Sequence, residues 1–209
     1  MSAEQIAQWD VRFSADDYVF GTEPNAFLAA QAPRLRPGWT ALAIADGEGR
    51  NGVWLAEQGL DVLSLDGSVP ALDKARRLAE ARGVPLRLEQ ADIETWTWPE
   101  ARFDLIVGIF IQFAGPALRQ LIFEGIGRAL KPGGLLLLEG YRPEQIAYGT
   151  GGPRIPENLY TEALLRGAFG GFEIIALSAY DAVIREGAGH SGMSALIDLV
   201  ARKPASAGG

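Results

Sequence analysis

Two rhythms of apolar positions run along the chain. Ile6, Trp9 and Phe13 recur at helical spacing, which predicts a short amphipathic helix over Ala3 to Phe13. "DDYVFGTEP" reads as a loop, and "PNAFLAAQAPRL" as a second helix with Pro24 in its first turn, where a missing N–H costs little. Pro37-Gly38 ends it. From Trp39 onward the rhythm changes to short apolar runs of strand length: "TALAIA", "DVLSLD", "PLRLEQ", "FDLIVGIF" and "LLLLEGY". Helix-patterned stretches lie among them at Asn51 to Gln58, Val69 to Arg82 and Pro116 to Leu130, and "KPGG" is expected to be the turn that stops the last helix before the fifth strand. Strands alternating with helices predict a parallel sheet built from right-handed crossovers, an α/β fold of Rossmann-like type with helices on both faces.

The tail breaks the alternation. "FEIIALSAYDAV" and "MSALIDLVARK" are long β-rich runs joined only by the loop "REGAGHSG", which predicts an antiparallel hairpin closing one sheet edge. Before it lies "RPEQIAYGTGGPRIPENLY", rich in Gly and Pro. An insertion of that length at the carboxyl end of a strand is expected to shape a substrate pocket. "PASAGG" reads as a frayed end.

Length and composition narrow the function classes. A chain of 209 residues that is 48% hydrophobic buries one substantial core, so a single domain over 1–209 is expected. The net charge is -7, and 16 Arg and three Lys are scattered among 26 acids, leaving no basic stripe to follow a phosphate backbone. DNA and RNA are therefore not expected partners. The absence of cysteine excludes disulfides, thiolate metal sites and a cysteine nucleophile, and no metal is expected. "MSAEQIAQWD" lacks the positive start and apolar stretch of a secretory signal, and no run reaches the roughly 18 apolar residues that span a bilayer. A cytoplasmic protein without a membrane partner is the expectation, as a monomer or homodimer.

The candidate chemistry begins at "ALAIADGEGRNGVWLAEQGLDVLSLDGS", where Gly47, Gly49 and Gly52 spell the G-x-G-x-x-G usually assigned to a dinucleotide. Closely spaced glycines after a strand let the backbone turn tightly and approach a ligand, and the next helix offers unpaired N–H groups. Asp66, at the end of the second strand, is placed to accept from ribose hydroxyls, and Asp92 in "EQADIETW" to accept from an adenine amino group. These features suit several adenosine cofactors. Against a nicotinamide-dependent oxidoreductase stand about 40 residues before the first strand, the lack of any Tyr with Lys four positions later, and the terminal antiparallel hairpin.

"GEGRNGVWLAEQGLDVLSLDGS", the "ADI" after strand three, "FDLIVGIF", "ALKPGGLLLLEGY" and the closing "LVARKP" together resemble class I S-adenosylmethionine-dependent methyltransferases. "WDVRFSADDYVFGTEPNAFL" and "GTGGP" are also similar to a small bacterial group of tellurite-resistance-type, or thiopurine-methyltransferase-like, members. The resemblance implies a seven-stranded sheet, S-adenosylmethionine as cofactor and a small-molecule methyl acceptor. It implies a lid segment over 1–38, a cofactor core over 39–141, a substrate-side insertion and helix over 142–171, and the hairpin over 172–203. Carried over by position, Ala45, Asp46, Gly47, Glu48, Gly49 and Asn51 line the methionine and ribose portion. Asp66, Gly67 and Ser68 take the ribose, Asp92 and Ile93 the adenine, and Gly108 and Phe110 lie near the sulfonium. Trp9, Tyr18 and Phe20 cover the cofactor, as suits an electron-rich box around a cation. Members commonly carry an acid near the end of strand one, where this chain has Ala43 and Ala45, so Asp46, Glu48 or the backbone is expected to serve the cofactor's amino group.

For catalysis the candidates are His190, the single histidine, with Gln112 after strand four and Tyr141 after strand five, flanked by Glu139 and Arg142. A histidine in "GAGHSG" is ordinarily solvated. Methyl transfer from a sulfonium is an in-line displacement at an already activated carbon, so alignment and water exclusion do most of the work. So few bases favour a thiol, selenium or tellurium acceptor. Two other classes stay open: an NAD(P)-dependent oxidoreductase, and a protein that binds S-adenosylmethionine without turnover.

Overall fold

The computed structural model describes residues 3–205. Its seven strands form one mixed sheet in the order β3-β2-β1-β4-β5-β7-β6, mostly parallel with antiparallel C-terminal strands. Residues 3–96 with 185–190, and residues 97–184 with 191–205, make two compact units. Of "PASAGG", residues 206–209 lie outside the described residues.

The first unit holds α1 (Ala3–Phe13), α2 (Ala26–Ala30), β1 (Thr40–Ile44), α3 (Arg50–Glu57), β2 (Asp61–Asp66), α4 (Val69–Arg82) and β3 (Arg87–Gln90). β1 and β2 pair in parallel from Thr40↔Asp61 to Ile44↔Leu65, and β2 continues with β3 to Asp66↔Gln90. This register brings the carboxyl ends of β1 and β2 to the same edge. The local signals of α4 are complete: Ser68 caps it, Pro70 sits in its first turn, and Gly83 ends it at φ 68°. The expected helix over Pro24 to Leu35 is instead broken. α2 is capped by Asn25, whose side chain accepts from Leu28 N, and after Gln31 a separate 3-10 turn covers Ala32–Arg34 with Pro33 near its start. Proline lacks the N–H that a continuing helix would donate.

The second unit holds β4 (Phe103–Ile109), α5 (Pro116–Ala129), β5 (Leu130–Tyr141), α6 (Gln145–Tyr148), α7 (Glu162–Ala168) and most of β6 (Glu173–Glu186) and β7 (His190–Arg202), whose residues 185, 186 and 190 belong to the first unit. Two expectations are corrected. "KPGG" does not stand between helix and strand: β5 starts at Leu130 and runs through it, because Gly133 at φ 79° absorbs the irregularity and its N–H reaches the Lys203 carbonyl. The loop "REGAGHSG" contracts to residues 187–189, since Gly187 takes φ 67° and both strands extend to meet it. The α6 turn inside the insertion has no counterpart in the sequence pattern.

β5 and β7 pair antiparallel from Leu135↔Arg202 to Tyr141↔Leu196, which sets Glu139 directly opposite Asp198. Burial pushes the Asp198 carboxyl up to about 6, against the opposing hydrogen bonds of Tyr180 and Glu139. A folded-state value above the ordinary one means stability that is complete below about pH 4 and lost as pH rises through about 6. Asp198→Asn should therefore gain about 1 kcal/mol over the native chain at pH 8 and little at pH 4. Urea unfolding at the two pH values measures this, and parallel pH profiles for the two proteins would refute it.

Candidate active site

The turn after β1 is built around left-handed backbone. Ala45, Gly47 and Gly49 have φ of 47°, 58° and 85°, so a non-glycine residue accepts strain at the first of these positions. Asp66 reaches across from the end of β2: its carboxylate accepts from Gly47 N and Ser68 N, both at 2.8 Å. Burial raises its pKa, and the Ser68 and Gly47 amides work against that rise. Asp46 turns inward and accepts from Ser64 Oγ at 2.8 Å and Gly52 N at 3.1 Å. A Cβ at Gly52 would lie 2.4 Å from that carboxylate, which is why the third position of the fingerprint is glycine. Burial pushes Asp46 up to about 7, against the Ser64 and Gly52 hydrogen bonds. Asn51 holds Asn25 N through its side-chain oxygen at 3.0 Å.

Glu48 is also turned inward, accepting from Val19 N, Phe20 N and Lys74 Nζ. Both carboxylates expected to serve the cofactor's amino group thus have protein partners: Asp46 those within and beside the turn, Glu48 the 19–20 backbone and Lys74. α1 lies along the same edge: Ser68 Oγ donates to Asp10 at 2.7 Å, and Cβ atoms added at Gly67 and Gly47 would meet Ile6 at 3.3 Å and Phe13 at 3.5 Å. Trp9 stacks on Phe13 at 5.4 Å, and the Arg12 guanidinium lies 5.1 Å from the Trp9 ring and 5.0 Å from that of Phe20. Tyr18 packs with Val53, Leu78 and Ala79. Asp92 accepts from Glu94 N within its own turn, beside buried Ile93.

His190 is not the solvated loop residue its neighbours suggest. It begins β7, is buried against Phe20 with ring centroids 4.5 Å apart, and its Nδ1 lies 3.9 Å from Glu186. Glu186 also binds Arg50 at 2.6 Å and Asn25 Nδ2 at 3.0 Å. Burial works to raise the Glu186 carboxyl, but His190 and Arg50 outweigh it and hold it near about 2. Burial lowers the His190 pKa, opposed by the bond to Glu186.

In the second unit the end of β4 is close-packed, a Cβ on Gly108 meeting Ile111 and Leu138 at 3.1 Å. Phe110, at φ 55°, stacks on Tyr141 at 4.6 Å. The Gln112 side chain is buried and clasps the Tyr141 backbone on both sides, Nε2 to the carbonyl at 2.8 Å and Oε1 from the amide at 2.6 Å. Asn158 and Gln145 do the same work for the insertion: Asn158 Nδ2 donates to Gln112 O, and Gln145 ties Thr150, Gly151 and Ala195. Gly152 approaches the Tyr141 ring so closely that a Cβ would lie 2.6 Å from it. The insertion therefore packs on the Phe110–Tyr141 wall. Among the described residues no cluster fit to hold a metal ion occurs.

Residues 41–134 match the family described as methyltransferase domain. Over this segment the chain is similar to methyltransferase domains. An uncharacterized methyltransferase of Synechocystis sp. is 34% identical over 128 residues, covering 60% of this chain and 58% of that protein. The chain spans about half the length of such sequence relatives. A solved structure concerning the conversion of a disulfide bond into a thioacetal group during echinomycin biosynthesis superposes with a TM-score of 0.77 at 21% identity, covering 97% of this chain and 93% of that one. TehB from Haemophilus influenzae gives 0.71 at 16% identity over 93% of this chain and 65% of its own. At those identities the solved structures establish the fold.

The residues of the matched segment fit S-adenosylmethionine. The Asp66 carboxylate at the end of β2 is an acceptor suited to a ribose hydroxyl, and the turn at Gly47 presents backbone without a side chain. Bound there, S-adenosylmethionine would supply the activated methyl group. Sequence reasoning missed Lys74, Arg50, Glu186, Gln145 and Asn158 as site-shaping residues. For Lys74 a signal existed: with Ala71, Ala75 and Leu78 it falls on the buried stripe of α4, where a lysine must find a partner.

Proposed function

We propose that the whole chain is an S-adenosylmethionine-dependent methyltransferase acting on a small molecule by in-line transfer, with the tellurite-resistance-type, thiopurine-methyltransferase-like group as its kin. The observation that carries this reading is the pairing of Asp66 with the Gly47 turn at the adjoining ends of β1 and β2, inside a matched methyltransferase domain. The Gly47–Gly49 turn and the Asp66–Ser68 turn take the methionine and ribose portions, and Asp92 with Ile93 the adenine. Asp46, Glu48 and Asn51 contribute by bracing. Trp9 and Phe20 cover the cofactor, and Tyr18 fixes the cover to α4.

The Phe110–Tyr141 wall, with Gln112 holding the Tyr141 backbone, is assigned to the acceptor. His190 is buried with its pKa lowered, so we assign it to orienting a nucleophile rather than to ionising a resistant one. A sulfur, selenium or tellurium nucleophile that is anionic at neutral pH needs no stronger base. The net charge of -7 supports a small acceptor over nucleic acid.

Parallel calorimetric titrations with S-adenosylmethionine, S-adenosylhomocysteine and NAD test the reading. Micromolar binding of the first two and none of NAD is expected. Binding of NAD alone would overturn it in favour of an oxidoreductase.

A further inference from the structure

Lys74 is 2% exposed and Glu48 3%, and the two meet at 2.7 Å. Removing two charges from water is expensive, and an apolar pair of similar volume would stabilise a core as well or better. What an ion pair adds is direction, and here the direction is spent on one segment. Lys74 Nζ donates also to the Asp17 carbonyl at 2.6 Å, and Glu48 accepts from Val19 N at 3.1 Å and Phe20 N at 3.3 Å. The Tyr18 hydroxyl donates back to the Lys74 carbonyl at 3.0 Å, its ring 5.7 Å from Nζ. Four consecutive residues, Asp17 to Phe20, are thereby tied to this pair. Glu48 itself stands between Gly47, bound to Asp66, and Gly49, which heads α3.

We propose that Lys74 is a positioning residue for the cofactor: through Glu48 it sets the Gly47–Gly49 turn and fastens the Asp17–Phe20 segment, with Phe20, to that turn. The inference rests on the cofactor assignment above. Because one carboxylate serves both the turn and the segment, cofactor binding and fastening of the segment are linked, each favouring the other by the same factor.

Lys74→Met and the double variant Glu48→Gln/Lys74→Met separate this role from plain stability. Binding of S-adenosylhomocysteine to the full chain is followed by calorimetry, with hydrogen exchange of the Val19 and Phe20 amides. In Lys74→Met the dissociation constant should rise at least tenfold, and the slowing of Val19 and Phe20 amide exchange by the cofactor product should be lost. The cofactor product should slow exchange of both amides in the native chain. If Lys74→Met does not fold, the neutral double variant carries the test, with the same tenfold loss. Native binding with an unchanged constant in the folded variant and no effect on the two amides overturns the proposal. Absence of binding to the native chain removes the cofactor reading and this inference with it.

Discussion

Gly49→Ala should cost about 3 to 4 kcal/mol of stability and abolish binding of S-adenosylhomocysteine. Two separate penalties meet at this residue. Its φ of 85° charges any L side chain about 1 to 2 kcal/mol. A Cβ would also lie 2.5 Å from the Ala75 Cβ and 2.8 Å from its Cα, and the second contact is backbone of α4 that cannot rotate away. Overpacking of that kind adds about 1 to 3 kcal/mol, so together the two effects take a large share of the 5 to 15 kcal/mol that holds a typical domain together. Urea unfolding gives the first quantity and calorimetry the second. A stable variant that binds normally would show that α3 can shift away from α4 without disturbing the turn.

Asp66→Ala should weaken S-adenosylhomocysteine binding by about 1 to 3 kcal/mol, roughly fivefold to more than a hundredfold, while the sheet survives. The carboxylate does two things at once. It holds the Gly47 and Ser68 amides, each at 2.8 Å, and in the proposed site it also accepts from the ribose. Asp66→Asn is the sharper comparison. An amide oxygen accepts as the carboxylate does, but the amide nitrogen cannot accept from Gly47 or Ser68, so one turn loosens while the residue's size is kept. Asn should therefore fall between native and Ala in affinity. Equal dissociation constants for all three proteins would remove Asp66 from the site.

Much of the fold was legible because its signals are local. Ser68, Pro70 and Gly83 bracket α4 as caps and stops do in any chain, and "DVLSLD" coincides with β2 residue for residue. The start of β5 was not legible, because Gly and Pro in "KPGG" speak for a turn, whereas pairing with β4 and the reach of Gly133 N to Lys203 keep the segment in the strand. At the site the positions of Gly47, Gly49 and Asp66 could be read from spacing. The inward turn of Asp46 and Glu48, the clasp of Gln112 on Tyr141 and the burial of His190 could not.

By itself the sequence determined the alternation of strands and helices, the antiparallel close and the glycine turn beside an acid, since each rests on periodicity or on the backbone freedom of a few neighbouring residues. Tertiary structure alone decided which polar side chains are buried and what they hold. Lys74 meets Glu48 across 26 positions of chain and Arg50 meets Glu186 across 136. Burying a charge is costly unless a partner arrives with the right geometry, and the partner's arrival is a property of the folded topology.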